Sequence, residues 1–149
     1  MFKRILFGLA AGLIASIVSL ILAHLVGIVV TFYSVGEFAA TALAALTVLP
    51  IMLLVVVMPL GLIIAAGTGV VLGVVSHLRQ RPVGALVGAL VALVLAEIFL
   101  SVFAPRIFGT VNNDFTDIIG NPLVSGSYGA VLGGLTGFIF RRFAKRNSR

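Results

Sequence analysis

The sequence has no cysteine and few acidic residues. Its 149 residues include 4 Asp and Glu, against 10 Lys and Arg and 2 His. The absence of cysteine excludes disulfides, thiolate metal ligands, iron–sulfur clusters and thiol nucleophiles. Charged residues make up 9% of the chain and hydrophobic residues 61%, whereas an ordinary globular domain has about 25% and roughly 45–50%. This composition indicates an integral membrane protein.

Charge is also missing over long stretches. No Asp, Glu, Lys or Arg occurs in residues 5–36, 38–78, 82–96 and 118–140. A helix that is apolar on every side is either deeply buried or in lipid, and so short a chain cannot bury this much. We therefore expect an all-α, polytopic membrane protein, a compact glycine-packed bundle forming one transmembrane domain over 1–149. The predicted segments are helices at about 5–33, 38–78, 83–104 and 122–143, and a basic cytoplasmic tail at 141–149.

The second uncharged block is too long for one straight span. At 1.5 Å per residue, 38–78 would extend about 60 Å, twice the roughly 30 Å hydrocarbon core. Pro50 and Pro59 are the natural bends, because each removes a backbone donor and clashes with the carbonyl four residues earlier. Two topologies remain: four spans with a second helix kinked at these prolines, or five spans with a turn near Pro59.

The distribution of basic residues favours four spans. With the N-terminus in the cytoplasm, four spans put nine of the ten Lys and Arg inside and only Arg106 outside. Five spans would put seven of the ten outside, against the positive-inside rule. We therefore predict that both termini are cytoplasmic. Eight Arg to two Lys, with abundant Ala, Gly and Val, favours a bacterial plasma (inner) membrane.

Local signals predict two helix boundaries. Ser34 and Glu37 have the S-x-x-E spacing of a capping box, which closes the first outer turn. Asn121 before Pro122 is typical of a helix start, with Asn as the N-cap and Pro as the first helical residue. The polar segment 105–120 before that start is predicted to be an outer loop.

Small residues recur every four positions in all four predicted helices. Helices in a membrane associate through close van der Waals contact, which this spacing permits. We predict that the rows pack helix against helix within the chain. The alternative is that one row, most plausibly on the fourth helix, binds another subunit. The predicted packing glycines are Gly8, Gly12, Gly61, Gly69, Gly73, Gly84, Gly88, Gly129, Gly133 and Gly137.

Two ionisable residues fall within the predicted spans. Counted from the basic ends of their helices, Glu97 lies about 21 Å along the third and His24 about 28 Å along the first. An ionisable group in a span costs a few kcal/mol and is by default a functional candidate. A carboxyl–imidazole pair would satisfy both groups and could carry protons. The alternative is a structural hydrogen bond, or a Glu97 that simply reaches the outer interface.

The basic tail is the predicted contact with lipid headgroups. Each basic side chain near an anionic membrane surface is worth about 1 kcal/mol, and docking to an acidic cytoplasmic partner is the alternative. Nucleic acid is not expected, because the basic residues form helix-end clusters without stacking aromatics. The predicted headgroup contacts are Arg141, Arg142, Lys145, Arg146 and Arg149.

No enzyme motif is present: the sequence has no G-x-S-x-G, H-E-x-x-H, Walker loop or dinucleotide fingerprint. No catalytic residue, metal site or cofactor is predicted. The rows of small residues that favour helix packing are a stronger signal than any residue pattern for chemistry. We therefore expect a non-catalytic accessory or structural subunit that organises a larger membrane complex, with other membrane subunits or further copies of itself as partners. The alternative is a small homo-oligomeric transporter or channel. It would use Glu97 and His24 as a proton or ion site, with lumen polarity from Ser16, Ser19, Thr47, Thr68 and Ser101.

Overall fold

The described residues of the protein form four long helices in a computed structural model. The structure describes residues 1–34, 51, 58–81, 83–108 and 121–146. The helices are α1 (Phe2–Ser34), α2 (Met58–Arg79), α3 (Ala85–Phe108) and α4 (Pro122–Arg146). No strand occurs in these described ranges. The predicted all-α fold class with four helices is therefore confirmed.

The helices have the length and composition of membrane spans. Three are long and apolar enough to cross a membrane, namely α2, α4 and the Phe2–Val26 part of α1. The apolar part of α3 is shorter, Ala85–Phe99. Large apolar side chains also cover the outside of the bundle, such as Ile17 at 51% exposure and Leu86 at 75%. An outer surface of this kind suits hydrocarbon, as expected for an integral membrane protein.

The described part of the second predicted span begins, apart from Ile51, at Met58. Pro59 is therefore the second residue of α2. Pro50, one of the two predicted kink positions, lies outside the described residues. Glu37, the last residue of the predicted capping box, lies outside them too.

The third helix is longer than its predicted span of 83–104. It continues through Pro105 and Arg106 and ends at Phe108. The φ of proline is compatible with a helix, and Pro105 does not interrupt α3. The segment predicted to be an outer loop therefore begins later than expected, and Arg106 belongs to the end of α3.

The start of α4 is capped as predicted. The amide of Leu123 donates to Oδ1 of Asn121 at 3.0 Å. The amides of Val124 and Ser125 donate to the Asn121 carbonyl, each also at 3.0 Å. Pro122 takes the first helical position, where its missing N–H leaves nothing unpaired. The Asn–Pro helix start is confirmed.

The first two helices form an antiparallel hairpin with direct backbone contact. A Cβ added to Gly8 would collide with the carbonyl of Gly69, and one added to Gly69 would collide with the carbonyl of Gly8. Four residues further along α1 and four residues back along α2, Gly12 meets the carbonyl of Ala65 in the same way. Contact this close requires residues without side chains at the interface.

The last two helices form a second hairpin of the same kind. Added Cβ atoms on Gly88 and Gly133 would each collide with the carbonyl of the other residue. A Cβ on Gly137 would lie 2.5 Å from the carbonyl oxygen of Gly84, and one on Gly129 would lie 2.7 Å from a backbone oxygen of α3. The glycine row of α4 therefore lies against α3.

Both hairpins have their termini at one end of the bundle. There, a Cβ on Gly73 near the end of α2 would lie 2.9 Å from the carbonyl oxygen of Arg4 at the start of α1. The side chain of Arg141, near the end of α4, lies 3.6 Å from the Cβ position of Gly84, just before α3. We call this the basic end, and the opposite end, where α4 starts, the far end. The basic end carries Lys3, Arg4, Arg79, Arg81, Arg141, Arg142, Lys145 and Arg146.

The two hairpins also repeat one internal construction. Thr68 on α2 and Thr136 on α4 are both fully buried. Each donates to the carbonyl four residues back, at 2.7 and 2.8 Å. The next residue in each helix is the glycine that meets the first helix of its own hairpin, Gly69 or Gly137. The molecule is thus built as two parallel repeats about an axis along the helices.

Contacts between the hairpins follow the same symmetry. Each first helix packs against the second helix of the other hairpin, and α2 contacts α4 across the centre. Among the described residues, no Cα atom of α1 lies within 8 Å of a Cα atom of α3. These two helices therefore lie on opposite sides of the bundle.

Buried residues fill the bundle in two groups. The group at the basic end is Ala11, Leu72, Val83 and Phe140. The group towards the far end is Ala15, Leu60, Ile64, Ala65, Ala92, Ala96 and Leu132.

Candidate functional site

A polar cluster lies towards the far end, between α1, α3 and α4. Ser125 in the first turn of α4 and Ser16 and Ser19 on α1 are buried, while Glu97 on α3 and Tyr128 on α4 are partly buried. At 1.5 Å per residue, Glu97 lies about 18 Å from the start of α3. We call these five residues the polar cluster.

Glu97 joins α3 to the beginning of α4. The Ser125 hydroxyl donates to Oε1 of Glu97 at 2.7 Å. A Cβ on Gly126 would lie 3.0 Å from the same oxygen, so this glycine provides the space for the carboxyl group. The N-terminal turn of a helix carries partial positive charge and favours a carboxylate beside it. This hydrogen bond links the middle of α3 to the first turn of α4.

Tyr128 joins α4 to the first hairpin. Its hydroxyl shares a hydrogen bond with the Ser19 side chain, and the Ser19 hydroxyl in turn donates to the carbonyl of Ser16 at 2.9 Å. A Cβ on Gly61 would collide with the Tyr128 hydroxyl. Gly61 therefore makes room on α2 for the phenol between three helices.

The polar cluster breaks the symmetry of the repeat. Tyr128 precedes the contact glycine Gly129 on α4, and the corresponding residue before Gly61 on α2 is Leu60. Ser19 on α1 corresponds in the same way to Leu95 on α3, and both leucines belong to the apolar core or pack against it. One junction between the hairpins is therefore polar and the other apolar. Because the repeated packing does not require the hydroxyls, they mark the polar junction as the candidate site.

The predicted pair of Glu97 and His24 draws on two helices that do not pack against each other. The two residues lie on α3 and α1, whose described Cα atoms are all more than 8 Å apart. The Glu97 carboxyl is hydrogen-bonded to Ser125 instead. Nδ1 of His24 is buried and has no hydrogen-bond partner among the described residues. A proton or ion site formed by these residues stays a prediction.

Other hydroxyl groups in the spans bond to the backbone of their own helix. Thr68 donates to the Ile64 carbonyl at 2.7 Å, and Ser76 donates to the Gly73 carbonyl at 3.0 Å. Both side chains are fully buried in the bundle. Thr47 and the side chain of Ser101 lie outside the described residues. Within the described ranges, no group of three His, Cys, Asp or Glu could hold a metal ion.

The predicted headgroup contacts are exposed at the basic end. This holds for Arg141, Arg142, Lys145 and Arg146, while Arg149 lies outside the described residues. An open cavity of about 510 Å³ is lined by Arg142, Phe143, Lys145 and Arg146.

Two members of the polar cluster, Ser125 and Tyr128, were not predicted as site residues. Their positions among the small residues of α4 are compatible with simple packing, so the sequence gives no separate signal for them. The spacing of Ser125 after the predicted N-cap Asn121 does place it in the first turn. Its contact with Glu97 depends on how α3 packs against α4.

Comparison with known proteins gives no relative. No protein-family model, curated protein or solved structure matches the chain. A function can therefore be argued only from the residues of this protein.

Proposed function

We propose that the protein is a non-catalytic structural subunit of a larger membrane assembly. The observation that carries this proposal is a row of small residues on the outside of the second hairpin. A Cβ added to Gly134 would have no atom nearer than 4.0 Å, and its neighbours at that distance are Ala85 and Ala89 of α3. Ala85 is exposed, and Ala89, Ala130 and Gly134 are half-buried. We call these four residues the α3–α4 groove.

The groove has the features that a second transmembrane helix needs. Lipid tails are as apolar as leucine, so helices associate in a membrane where small residues allow close approach. The neighbouring glycines of α4 already contact α3, whereas the groove remains open beside them. The internal hydrogen bonds of the polar cluster support the non-catalytic part of the proposal, since they leave Ser125 and Ser19 bonded within the bundle.

The substitution Gly134→Leu tests the proposal. A Cβ on Gly134 collides with nothing, and the rest of the leucine side chain would fill the groove, so we expect the fold to persist and the assembly to dissociate. The protein would be purified from its own membranes in mild detergent, and its mass measured by light scattering on a sizing column. Val131→Leu is the matched control, because Val131 lies on the same helix and is 56% exposed.

Two results of this experiment would count against the proposal. One is a Gly134→Leu variant that keeps the wild-type mass and the same co-purifying polypeptides. The other is a wild-type protein that is a monomer. Co-expression of two differently tagged copies separates a partner subunit from a homo-oligomer, because only self-association brings both tags into one complex.

A second candidate function is proton or ion transfer through the far half of the bundle. The Nδ1 of His24 favours it, because this atom is buried without a hydrogen-bond partner among the described residues, and such a group is costly unless a proton or ligand visits it. Glu97→Gln keeps an acceptor for Ser125 but removes the ionisable group. We expect that variant and His24→Ala to abolish flux in proteoliposomes if the candidate is right. Wild-type flux that both variants leave unchanged would eliminate it.

We further propose that the basic end faces the cytoplasm of a bacterial cell. The positive-inside rule supports this orientation, since eight basic residues lie at that end and Arg106 lies near the end of α3. In this orientation the protein would be an inner-membrane protein with both termini in the cytoplasm.

A further inference from the structure

The basic end carries eight Lys and Arg side chains, and no Asp or Glu of the described residues lies there. In the part of the chain that the structure describes, the single acidic side chain is Glu97. It lies towards the far end, where it accepts a hydrogen bond from Ser125. The positive charge at the basic end is therefore not neutralised by neighbouring acids within the described bundle. An anion from outside the protein is the natural counter-charge.

Some of these cations have structural contacts within the bundle. The guanidinium of Arg4 donates to the carbonyl of Ser76 in the last turns of α2, where helix carbonyls lack partners. The side chain of Arg141 lies 3.6–3.7 Å from the Cβ position of Gly84. Both residues help to hold the ends of neighbouring helices together.

Arg142 points in a different direction from these two residues. Its guanidinium carbon lies 4.9 Å from the centre of the Phe138 ring, within the range of a cation–π contact. Phe138 is 49% exposed, on a helix whose outer surface is apolar. The arginine therefore lies where an apolar outer surface changes to a charged one.

The cavity at the end of α4 lies beside this pair. Its volume is about 510 Å³, and Arg142, Lys145, Arg146 and Phe143 line it. Phe143 packs against the core group at the basic end, which fixes that wall. The site thus combines three cationic side chains with an exposed aromatic ring, Phe138, one turn before Arg142. An amphiphile with an anionic headgroup and an apolar chain matches both parts.

We propose that this cavity binds the phosphate of an anionic phospholipid, whose acyl chain passes over Phe138. Guanidinium groups bind phosphate oxygens through paired, charge-assisted hydrogen bonds. Basic pockets at the cytoplasmic ends of membrane helices recognise lipid headgroups for this reason. The ring beneath Arg142 favours a lipid over a soluble acidic protein, because an acyl chain can cover Phe138 at that depth. This inference is independent of the proposed assembly.

The test compares lipid retention by the full-length protein in detergent, measured by native mass spectrometry. The probes are dioleoyl phosphatidylglycerol and, as the uncharged reference, dioleoyl phosphatidylcholine. We expect R142Q/R146Q to lower the affinity for phosphatidylglycerol by about tenfold or more and to leave phosphatidylcholine unaffected. The matched control is R79Q/R81Q, which removes the same charge from exposed residues at the same end but outside the cavity. It should keep the wild-type affinity.

Three results would overturn the proposal. Equal losses in both double variants would mean that general charge, not the cavity, attracts the lipid. No loss in R142Q/R146Q would leave an acidic protein as the better candidate for this surface. Displacement of phosphatidylglycerol by inorganic phosphate at millimolar concentration would mean that free phosphate is the ligand. If R142Q/R146Q fails to fold, Phe138→Ser decides the question with all charges intact: reduced phosphatidylglycerol binding supports the site, and unchanged binding overturns it.

Discussion

At the residue scale, two adjacent glycines differ in the space that an added methyl group would have. Gly133 faces α3, where an added Cβ would collide with the carbonyl of Gly88 and the Cβ of Ala92. Gly134 has no atom within 4.0 Å of the same position. Both are glycines on the same helix, and the sequence pattern alone gives them similar roles. The structure assigns them different ones.

Gly133→Ala should therefore destabilise the bundle while Gly134→Ala does not. Forcing a methyl group into a packed interface costs about 1–3 kcal/mol, because two helix backbones must separate. Gly134→Ala should stay within about 1 kcal/mol of wild type, since alanine is also the better helix former. Unfolding in mixed detergent–SDS micelles measures the difference. Equal destabilisation by the two substitutions would contradict this packing.

Gln80 has a backbone conformation that glycine prefers. Its φ is 53°, and it follows the last residue of α2, with its amide donating to the His77 carbonyl at 3.3 Å. The left-handed conformation costs a residue with a Cβ roughly 1–2 kcal/mol, and glycine is the usual residue at this position.

Gln80→Gly should accordingly stabilise the protein by about 1 kcal/mol. Gln80→Ala is the control, because alanine keeps the Cβ and should change stability little. Thermal unfolding in detergent distinguishes the two. A glycine variant no more stable than the alanine variant would show that this turn adopts another conformation.

At the element scale, the helices were predictable where the signal is local or compositional. Uncharged runs identified the spans, and the Asn121–Pro122 pair identified the start of α4. The described part of α3 extends four residues past the predicted end at residue 104, because the φ of Pro105 is compatible with a helix. Pro50, at which the second span was predicted to be kinked, lies outside the described residues.

Loss of the cap at Asn121 should weaken the start of α4. Asn121→Ala removes the acceptor for the Leu123 amide, which should cost about 1 kcal/mol. Asn121→Asp keeps an acceptor oxygen and should retain stability. Hydrogen exchange at the first turn of α4 reports the change directly, with faster exchange expected only in the alanine variant. Equally slow exchange in both variants would mean that the cap contributes nothing.

The contacts of the candidate site depend on tertiary packing. Glu97 and His24 were identified as costly polar residues in a span, which requires only the sequence. The partners that Glu97 has in the structure could not be inferred, because the Ser125 contact depends on the register between α3 and α4. The same limit applies to Tyr128, whose room beside Gly61 depends on the packing of three helices.

At the scale of the whole molecule, the internal repeat explains why the chain needs little conventional core. Two glycine hairpins pair their own helices by backbone contact and then pack against each other around Thr68 and Thr136. A short chain can thus form a bundle in which small residues and a few buried hydroxyl side chains take the place of a large apolar core. The polar junction and the cavity at the basic end are the two places where helix packing alone does not account for the residues present.

The most direct test of the account is the side of the membrane on which each end of the bundle lies. The chain has no cysteine, so single cysteines can be introduced without background labelling. Sealed cells carrying Gln80→Cys, Arg146→Cys or Asn121→Cys would be treated with a membrane-impermeant maleimide. We expect Asn121→Cys to be labelled, and the two basic-end cysteines to be labelled only after permeabilisation. Labelling of Gln80→Cys or Arg146→Cys in intact cells would contradict a bundle whose basic end faces the cytoplasm.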